Sequence, residues 1–150
     1  MSARTPTLFR PHPSDTELAY FAGIIDGEGC IYVPKADAKY RSPQVVVSNT
    51  DLELLAWVQA RFGGYLAKAS GRAPMNRERT KDCYTVRWGG AQMIAVLLKP
   101  LLPYLVIKRG KAEAAIVRAR ELKQNQLAGS RKAGSRPRFT IAKDQERLAL

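Results

Sequence analysis

Residues 21–29 read FAGIIDGEG, and this stretch decides how the rest of the chain is interpreted. Apolar side chains recur around it at spacings of three and four, which predicts a helix from about Glu17 to Asp26. The core-facing side of this helix is formed by Leu18, Phe21 and Ile25. Small residues on another face would let a second helix approach closely, and that face is formed by Ala19, Ala22, Gly23 and Asp26.

Two acidic residues lie at the C-terminal end of this predicted helix. Asp26 is near the end and Glu28 lies just beyond it, where the helix dipole makes a carboxylate unfavourable without a cation. The segment therefore calls for a metal ion, a basic partner or capping hydrogen bonds. Glycines on both sides of Glu28 permit a tight turn and a close approach by another group.

The rest of the chain alternates pairs of strand-like runs with helices. The order helix, strand, strand, helix, strand, strand, helix indicates an α+β domain with one antiparallel sheet, covered by helices on one face. Strands are predicted at residues 30–33, 44–48, 65–69 and 83–88, and the later helices at about 51–62, 91–98 and 108–126. We expect an N-terminal arm at residues 1–16, a single domain at 17–126 and a basic tail at 127–150.

The charge balance points to a polyanionic partner. The 150 residues include 25 basic and 13 acidic ones, a net charge of +12. Such a surplus favours nucleic acid over a membrane, because no basic amphipathic helix or anchor is recognisable, although solubility alone also accounts for it. The only histidine is His12, and the two cysteines are Cys30 and Cys83, which argues against zinc sites, disulfide scaffolds and histidine-based catalysis. Without a recognisable signal peptide, the sequence predicts an intracellular protein, in the cytoplasm or an organelle matrix.

FAGIIDGEG resembles the motif of the LAGLIDADG homing endonucleases. The positions identical to that motif are Ala22, Gly23, Ile25, Asp26 and Gly29. Phe21 and Ile24 replace leucines, Gly27 replaces an alanine, and Glu28 replaces the second aspartate, which moves the carboxylate out by one methylene. The resemblance covers about Glu17 to Lys123, because members with one motif continue in the αββαββα order, have about this length and form homodimers.

This resemblance implies a site-specific, Mg²⁺-dependent endonuclease of the kind that serves intron homing. A homodimer would hydrolyse DNA phosphodiester bonds and make a double-strand break at a long pseudo-palindromic target. The motif helices would pack together through Ala19, Ala22, Gly23 and Asp26, with Asp26 capping the partner helix. Glu28 of each subunit would hold Mg²⁺ at the scissile phosphates. Asn49, at the end of the second strand, would orient water, and Lys108, before the last helix, would stabilise developing charge.

Several alternatives remain open at this point. Asn49 can simply belong to a turn with Thr50 and Asp51, and Lys108 can be an ordinary solvated lysine, with Arg109 and Lys111 as neighbouring substitutes. The runner-up function is a non-cleaving nucleic-acid-binding module on the same fold, either an intron RNA maturase or a DNA-binding regulator. Such a module has no need of Glu28. A basic ribosome-associated protein explains the charge but not the motif.

The strand pattern predicts which side chains face DNA. If the sheet lies on DNA, alternate residues of each strand point towards it. On the first strand, counting in twos from Glu28 gives Cys30 and Tyr32. On the second strand the predicted residues are Gln44, Val46 and Ser48, and on the fourth they are Thr85 and Arg87, since Tyr84, Val86 and Trp88 fit the core. Gln44 and Arg87 have donor patterns suited to adenine and guanine edges, respectively. The long polar loop would contact phosphates through Arg72, Arg77, Arg79 and Lys81.

Overall fold

The computed structural model describes residues 12–35, 37–38, 41–69 and 81–133, with side chains up to residue 128. The helices are α1 (Asp15–Glu28), α2 (Leu52–Phe62), α3 (Ala91–Leu98) and α4 (Arg109–Ala133), with a short 3-10 helix at Lys99–Leu101. The strands are β1 (Gly29–Tyr32), β2 (Gln44–Asn49), β3 (Tyr65–Lys68) and β4 (Tyr84–Gly89). The predicted order of elements is confirmed, and each strand begins and ends within one residue of its predicted position.

The four strands form one antiparallel sheet in the order β1-β2-β4-β3. The two central strands pair with Val47 opposite Val86, and β1 and β3 form the edges. One face of the sheet is buried beneath the helices, through Ile31, Val45, Val47, Val86 and Trp88. The α+β class with one covered face, predicted from the sequence, is therefore confirmed.

An aromatic cluster joins α1 and α2 to the sheet. The Phe21 ring stacks on Phe62 with centroids 4.1 Å apart and lies 5.6 Å from the Trp88 ring. Trp88 Nε1 donates to the main-chain oxygen of Phe62 at 3.0 Å. Gly64 has φ +94°, and a Cβ there would come within 2.7 Å of the Trp88 and Val86 side chains. The turn after α2 therefore needs glycine both for its conformation and for space.

Helix α4 is longer than predicted and continues to Ala133 instead of ending near Gln126. The added segment is rich in good helix formers, and its single glycine, Gly129, costs only about 1 kcal/mol relative to alanine. Although α4 has 25 residues, neither it nor any other helix in the described ranges is apolar enough to cross a membrane. The predicted arm up to residue 11 and the tail from residue 134 lie outside the described residues.

Candidate active site and nucleic-acid interface

The junction between α1 and β1 places Glu28 at the surface. Helix α1 ends at Glu28, and Gly29, its C-cap, donates its N–H to the main-chain oxygen of Ile25. A Cβ on Gly29 would lie 2.7 Å from that oxygen, so this close approach requires glycine. Glu28 is exposed, and none of the ion pairs found among the described residues uses its carboxylate. The acid is therefore available to a ligand.

Lys108 caps the C-terminal end of α1. Its Nζ donates to the main-chain oxygens of Ile25 and Asp26, both at 2.8 Å, and of Gly29 at 2.6 Å. An ammonium group has three donors, and here each is paired with a carbonyl. The cation that the helix dipole required is thus supplied by the chain itself. The structure brings Lys108 to the junction beside Glu28, with its ammonium bound to the main chain.

Asp26 binds the segment that carries Lys108. Its Oδ2 accepts the N–H of Val106 at 2.8 Å, and its Oδ1 accepts the N–H of Lys108 at 2.9 Å. Burial opposes ionisation, but main-chain donors of Val106, Lys108 and Ile107 and the Lys108 charge outweigh it, so the pKa of Asp26 is lowered. The resemblance implied that Asp26 caps a partner helix. In the structure both of its oxygens are instead engaged within the same chain.

The exposed face of α1 differs from the predicted set at Ala22 and at the half-buried Asp26. Ala22, expected on the helix-packing face, is fully buried in the core of its own chain, because α1 is turned so that Phe21 and Ala22 both face inward. Ala19 and Gly23 are exposed as predicted. A Cβ added at Gly23 or Gly27 would meet nothing within 4 Å. We call the exposed set the α1 surface; it consists of Ala19, Gly23 and Gly27.

Asn49 lies at the same end of the sheet as Glu28. The register pairs Gly29 with Val47, so β2 continues past the junction to Asn49. Asn49 Oδ1 accepts the N–H of Asp51 at 2.9 Å, and Asp51 in turn caps α2. Asn49 is therefore a turn residue, and its place in the fold also brings it to the candidate site.

The uncovered face of the sheet carries all seven of the strand residues that were predicted to face DNA. One row across the four strands is Cys30, Val46, Arg87 and Tyr65. A second row is Ser48, Thr85 and Ala67, and Tyr32 lies opposite Gln44. Their contact with DNA stays a prediction. Lys81 is exposed, whereas Arg72, Arg77 and Arg79 lie outside the described residues.

Two parts of this face were missed by the sequence analysis. Tyr65 is 72% exposed beside Arg87, but the apolar run that begins β3 does not show which of its residues point outward. A polar recess of about 430 Å³ also opens at the end of the β1–β2 pair. Its lining combines strand and loop residues, which no local pattern connects: Tyr32, Arg41, Ser42 and Gln44.

The α1–β1 junction offers one exposed carboxylate, that of Glu28, to a cation. No group of three or more His, Cys, Asp or Glu side chains comes together for a metal within the described part of one chain. Magnesium, however, is commonly held by one or two carboxylates together with water and phosphate oxygens. The exposed Glu28 carboxylate is a hard oxygen donor of this kind.

Comparison with solved structures identifies the fold. The chain is similar to the homing endonuclease I-CvuI in complex with its target in the presence of calcium, with 23% identity and a TM-score of 0.57 over 74% of this chain and 70% of that one. For I-CvuI with DNA and magnesium the identity is 22% and the TM-score 0.55, over 73% of this chain and 69% of that one. For the K262A mutant of I-SmaMI the identity is 18% and the TM-score 0.50, over 74% of this chain and 38% of that one. No protein-family model and no curated protein matches the sequence. The structure therefore shows that the chain has the α+β fold of the LAGLIDADG homing endonucleases.

Proposed function

We propose that this chain is a Mg²⁺-dependent DNA endonuclease that works as a homodimer and makes a double-strand break at a long pseudo-palindromic target. The observation that carries the proposal is the exposed carboxylate of Glu28, held at the α1–β1 junction beside an uncovered sheet face. Its support comes from the fold shared with homing endonucleases and from the net charge of +12. The pseudo-palindrome follows from two-fold symmetry.

Each chain contributes one Glu28, so two chains are needed to serve the two DNA strands. A Mg²⁺ ion held there would supply a water nucleophile and stabilise the leaving oxygen. The chain's own residues shape the site. Lys108 neutralises the helix end and fixes the main chain of residues 25–29 through its three hydrogen bonds, which positions Glu28. Asn49, at the same end of the sheet, is proposed to orient water.

The uncovered sheet face is the proposed DNA-binding surface. Arg87 and Gln44 project from it. The two donors of a guanidinium suit the guanine edge, and the donor–acceptor pair of an amide suits the adenine edge in the major groove. The exposed Tyr65 adds an aromatic surface beside Arg87. Because the chain is strongly basic, its affinity for DNA should fall steeply with salt concentration.

The α1 surface is the proposed dimer contact. Gly23 and Gly27 leave open space for a close helix approach. Apolar side chains next to the helix end, Val106 and Ile107, are 84% and 77% exposed, and the Val106 N–H is bonded to Asp26. A second copy packed on α1 would cover this surface and bring the two Glu28 carboxylates together.

The catalytic assignment is tested with Glu28→Gln, against Glu53→Gln on α2 as the matched control. We expect Glu28→Gln to lose Mg²⁺-dependent cleavage by roughly 10³-fold or more, because a metal ligand contributes several kcal/mol. DNA binding measured in calcium should be retained in both variants. Cleaved sites are first selected from a randomised DNA library with the wild-type chain. Retained cutting by Glu28→Gln would contradict the proposal, and a wild-type chain that binds without cutting would favour the maturase or regulator instead.

The assembly is tested with Gly23→Leu, against Gly110→Leu on α4. Both glycines are open, with nothing within 4 Å of an added Cβ, so neither substitution should disturb the monomer. Gly23→Leu should shift sedimentation to the monomer and abolish double-strand cutting, while Gly110→Leu should stay dimeric. A Gly23→Leu variant that remains dimeric would show that α1 is not the interface. Ala22→Leu is unsuitable because it would overpack the core.

A further inference from the structure

Helix α4 buries an arginine in a face that is otherwise apolar. Arg118 is the only buried charged residue in the described part of the chain, with 8% of its surface exposed. Its neighbours on that face are Ala115, Ala119 and Leu122. Removing a guanidinium from water is costly unless its donors are paired, so packing alone does not account for an arginine here.

The partner of Arg118 is the main chain of the β1–β2 connection. Its Nη2 donates to the main-chain oxygen of Ala38 at 2.7 Å, and its Nη1 donates to Glu121 Oε2 at 3.2 Å. The Ala38 oxygen also accepts the N–H of Arg41 at 3.1 Å, and the Ala38 N–H donates to the main-chain oxygen of Lys35 at 3.0 Å. One carbonyl therefore contacts both α4 and Arg41, three residues before β2.

Arg41, whose N–H is bonded to Ala38, lines the polar recess on the uncovered sheet face. Arg41 and Gln44, which follow Ala38, line the recess together with Tyr32. The β1–β2 pairing runs from Gly29, next to Glu28, to Tyr32 opposite Gln44. The recess thus lies about 10 Å along the strand from the candidate site. On bound DNA it would face base pairs remote from the cleaved bonds.

We propose that Arg118 is a positioning residue for DNA sequence recognition. By binding the Ala38 oxygen it fixes the positions of Arg41 and Gln44. It thereby determines which DNA bases the protein prefers at base pairs remote from the cleaved bonds. Hydrogen bonds to base edges depend steeply on distance and angle. A shift of Arg41 and Gln44 therefore weakens the discrimination between bases without removing either side chain. The inference rests on the proposed function, since it concerns how the same DNA is read.

The test compares Arg118→Met with Arg120→Met in the full chain. Arg118→Met keeps the apolar stem and removes both hydrogen bonds, while Arg120→Met removes the same charge from an exposed position of α4. Preferred sequences are selected by binding to randomised DNA in calcium. Arg118→Met should lose about tenfold in discrimination at each remote position, as expected for a poorly read base pair. Discrimination near the cleaved bonds, and Mg²⁺-dependent cutting of its best target, should match Arg120→Met.

Hydrogen exchange of the Arg41 amide, without DNA, gives an independent readout. This N–H is bonded to Ala38, so it should exchange faster in Arg118→Met and at the wild-type rate in Arg120→Met. Unchanged selectivity with unchanged Arg41 protection would overturn the proposal. An equal loss of affinity at every position would also overturn it, because a merely structural role has that effect.

A conservative variant decides the matter if Arg118→Met does not fold. Lysine carries its terminal nitrogen one bond nearer the main chain, so Arg118→Lys should weaken the 2.7 Å contact to Ala38. We expect a smaller loss of remote selectivity, and wild-type selectivity in Arg118→Lys would overturn the proposal. Failure of the proposed function gives a different result. The wild-type chain would then enrich no DNA sequence, while the Arg41 amide would still exchange faster in Arg118→Met than in the wild type.

Discussion

The two ends of helix α1 are held in different ways. At the N-terminal end, Ser14 and Glu17 form a capping box, with Glu17 N–H donated to Ser14 Oγ at 3.3 Å and Ser14 N–H donated to Glu17 Oε2 at 2.8 Å. At the C-terminal end, the partners of Asp26 are Val106 and Lys108, 80 and 82 residues away in the chain. The side-chain cap at the N-terminal end is made by neighbours in sequence, whereas the side-chain contacts at the C-terminal end join residues distant in sequence. The end that holds Glu28 therefore depends on tertiary structure.

The long-range contact at the N-terminal end of α1 is an ion pair between two side chains, Arg61 and Glu17. Arg61 binds Glu17 through two contacts of 2.6 Å, and this hydrogen bond, followed by those from Ser14, lowers the pKa of Glu17 despite partial desolvation. Both side chains remain partly exposed, and ion pairs of this type contribute little to stability. At the other end charged groups bind main-chain atoms directly. We therefore expect substitutions at the C-terminal end to have the larger effects.

The largest effect is expected for Lys108→Met. The change leaves three carbonyls at the end of α1 without their charged donor, and should lower the free energy of unfolding by about 3 kcal/mol. Cleavage should fall together with stability, because Glu28 loses its support. Urea denaturation measures the effect, with the exposed Lys99→Met as the control. A Lys108→Met variant of wild-type stability that fails only in cleavage would instead assign the ammonium to the substrate.

Asp26→Ala should cost somewhat less, about 2 kcal/mol at neutral pH, because it removes a charged acceptor of two main-chain N–H groups. An acid with a lowered folded-state pKa adds stability above its unfolded-state pKa, and this stability is lost as the pH falls through the folded-state pKa. The difference between variant and wild type should therefore shrink when the pH is lowered below about 4. Denaturation at neutral and acid pH measures it, and a pH-independent difference would contradict the role of the Asp26 charge.

Local signals explain why much of the fold was predictable. Alternation along β4 separates Val86 and Trp88 from Arg87, and the structure has the same division. Asp51 caps α2 as its position before an apolar helix predicted. These features depend on residues within one or two turns of each other. The motif resemblance added Glu28, Lys108 and Asn49, which the structure brings to one end of the sheet.

The features that local patterns did not show concern contacts between distant parts of the chain. Whether Ala22 faces the core or the surface depends on the rotation of α1 about its axis, which packing of Phe21 against the aromatic cluster decides. Asp26 accepts the Val106 N–H only because the segment around Val106 passes the C-terminal end of α1. Arg118 donates to the main-chain oxygen of Ala38, which is 80 residues away in the chain. No local pattern contains such pairings.

The smallest effect is expected at the N-terminal end, for Ser14→Ala. It removes the side-chain acceptor for the Glu17 N–H and should cost about 1 kcal/mol, the usual effect of losing an N-cap. Because this end is some distance along the helix from Glu28, DNA cleavage at a temperature where the variant is folded should equal that of the wild type. Ser14→Asp is the matched control, since aspartate caps equally well and should retain stability. If Ser14→Ala reduced cleavage as strongly as Lys108→Met, the two ends of α1 would be coupled through the whole helix, and the division of roles between them would be wrong.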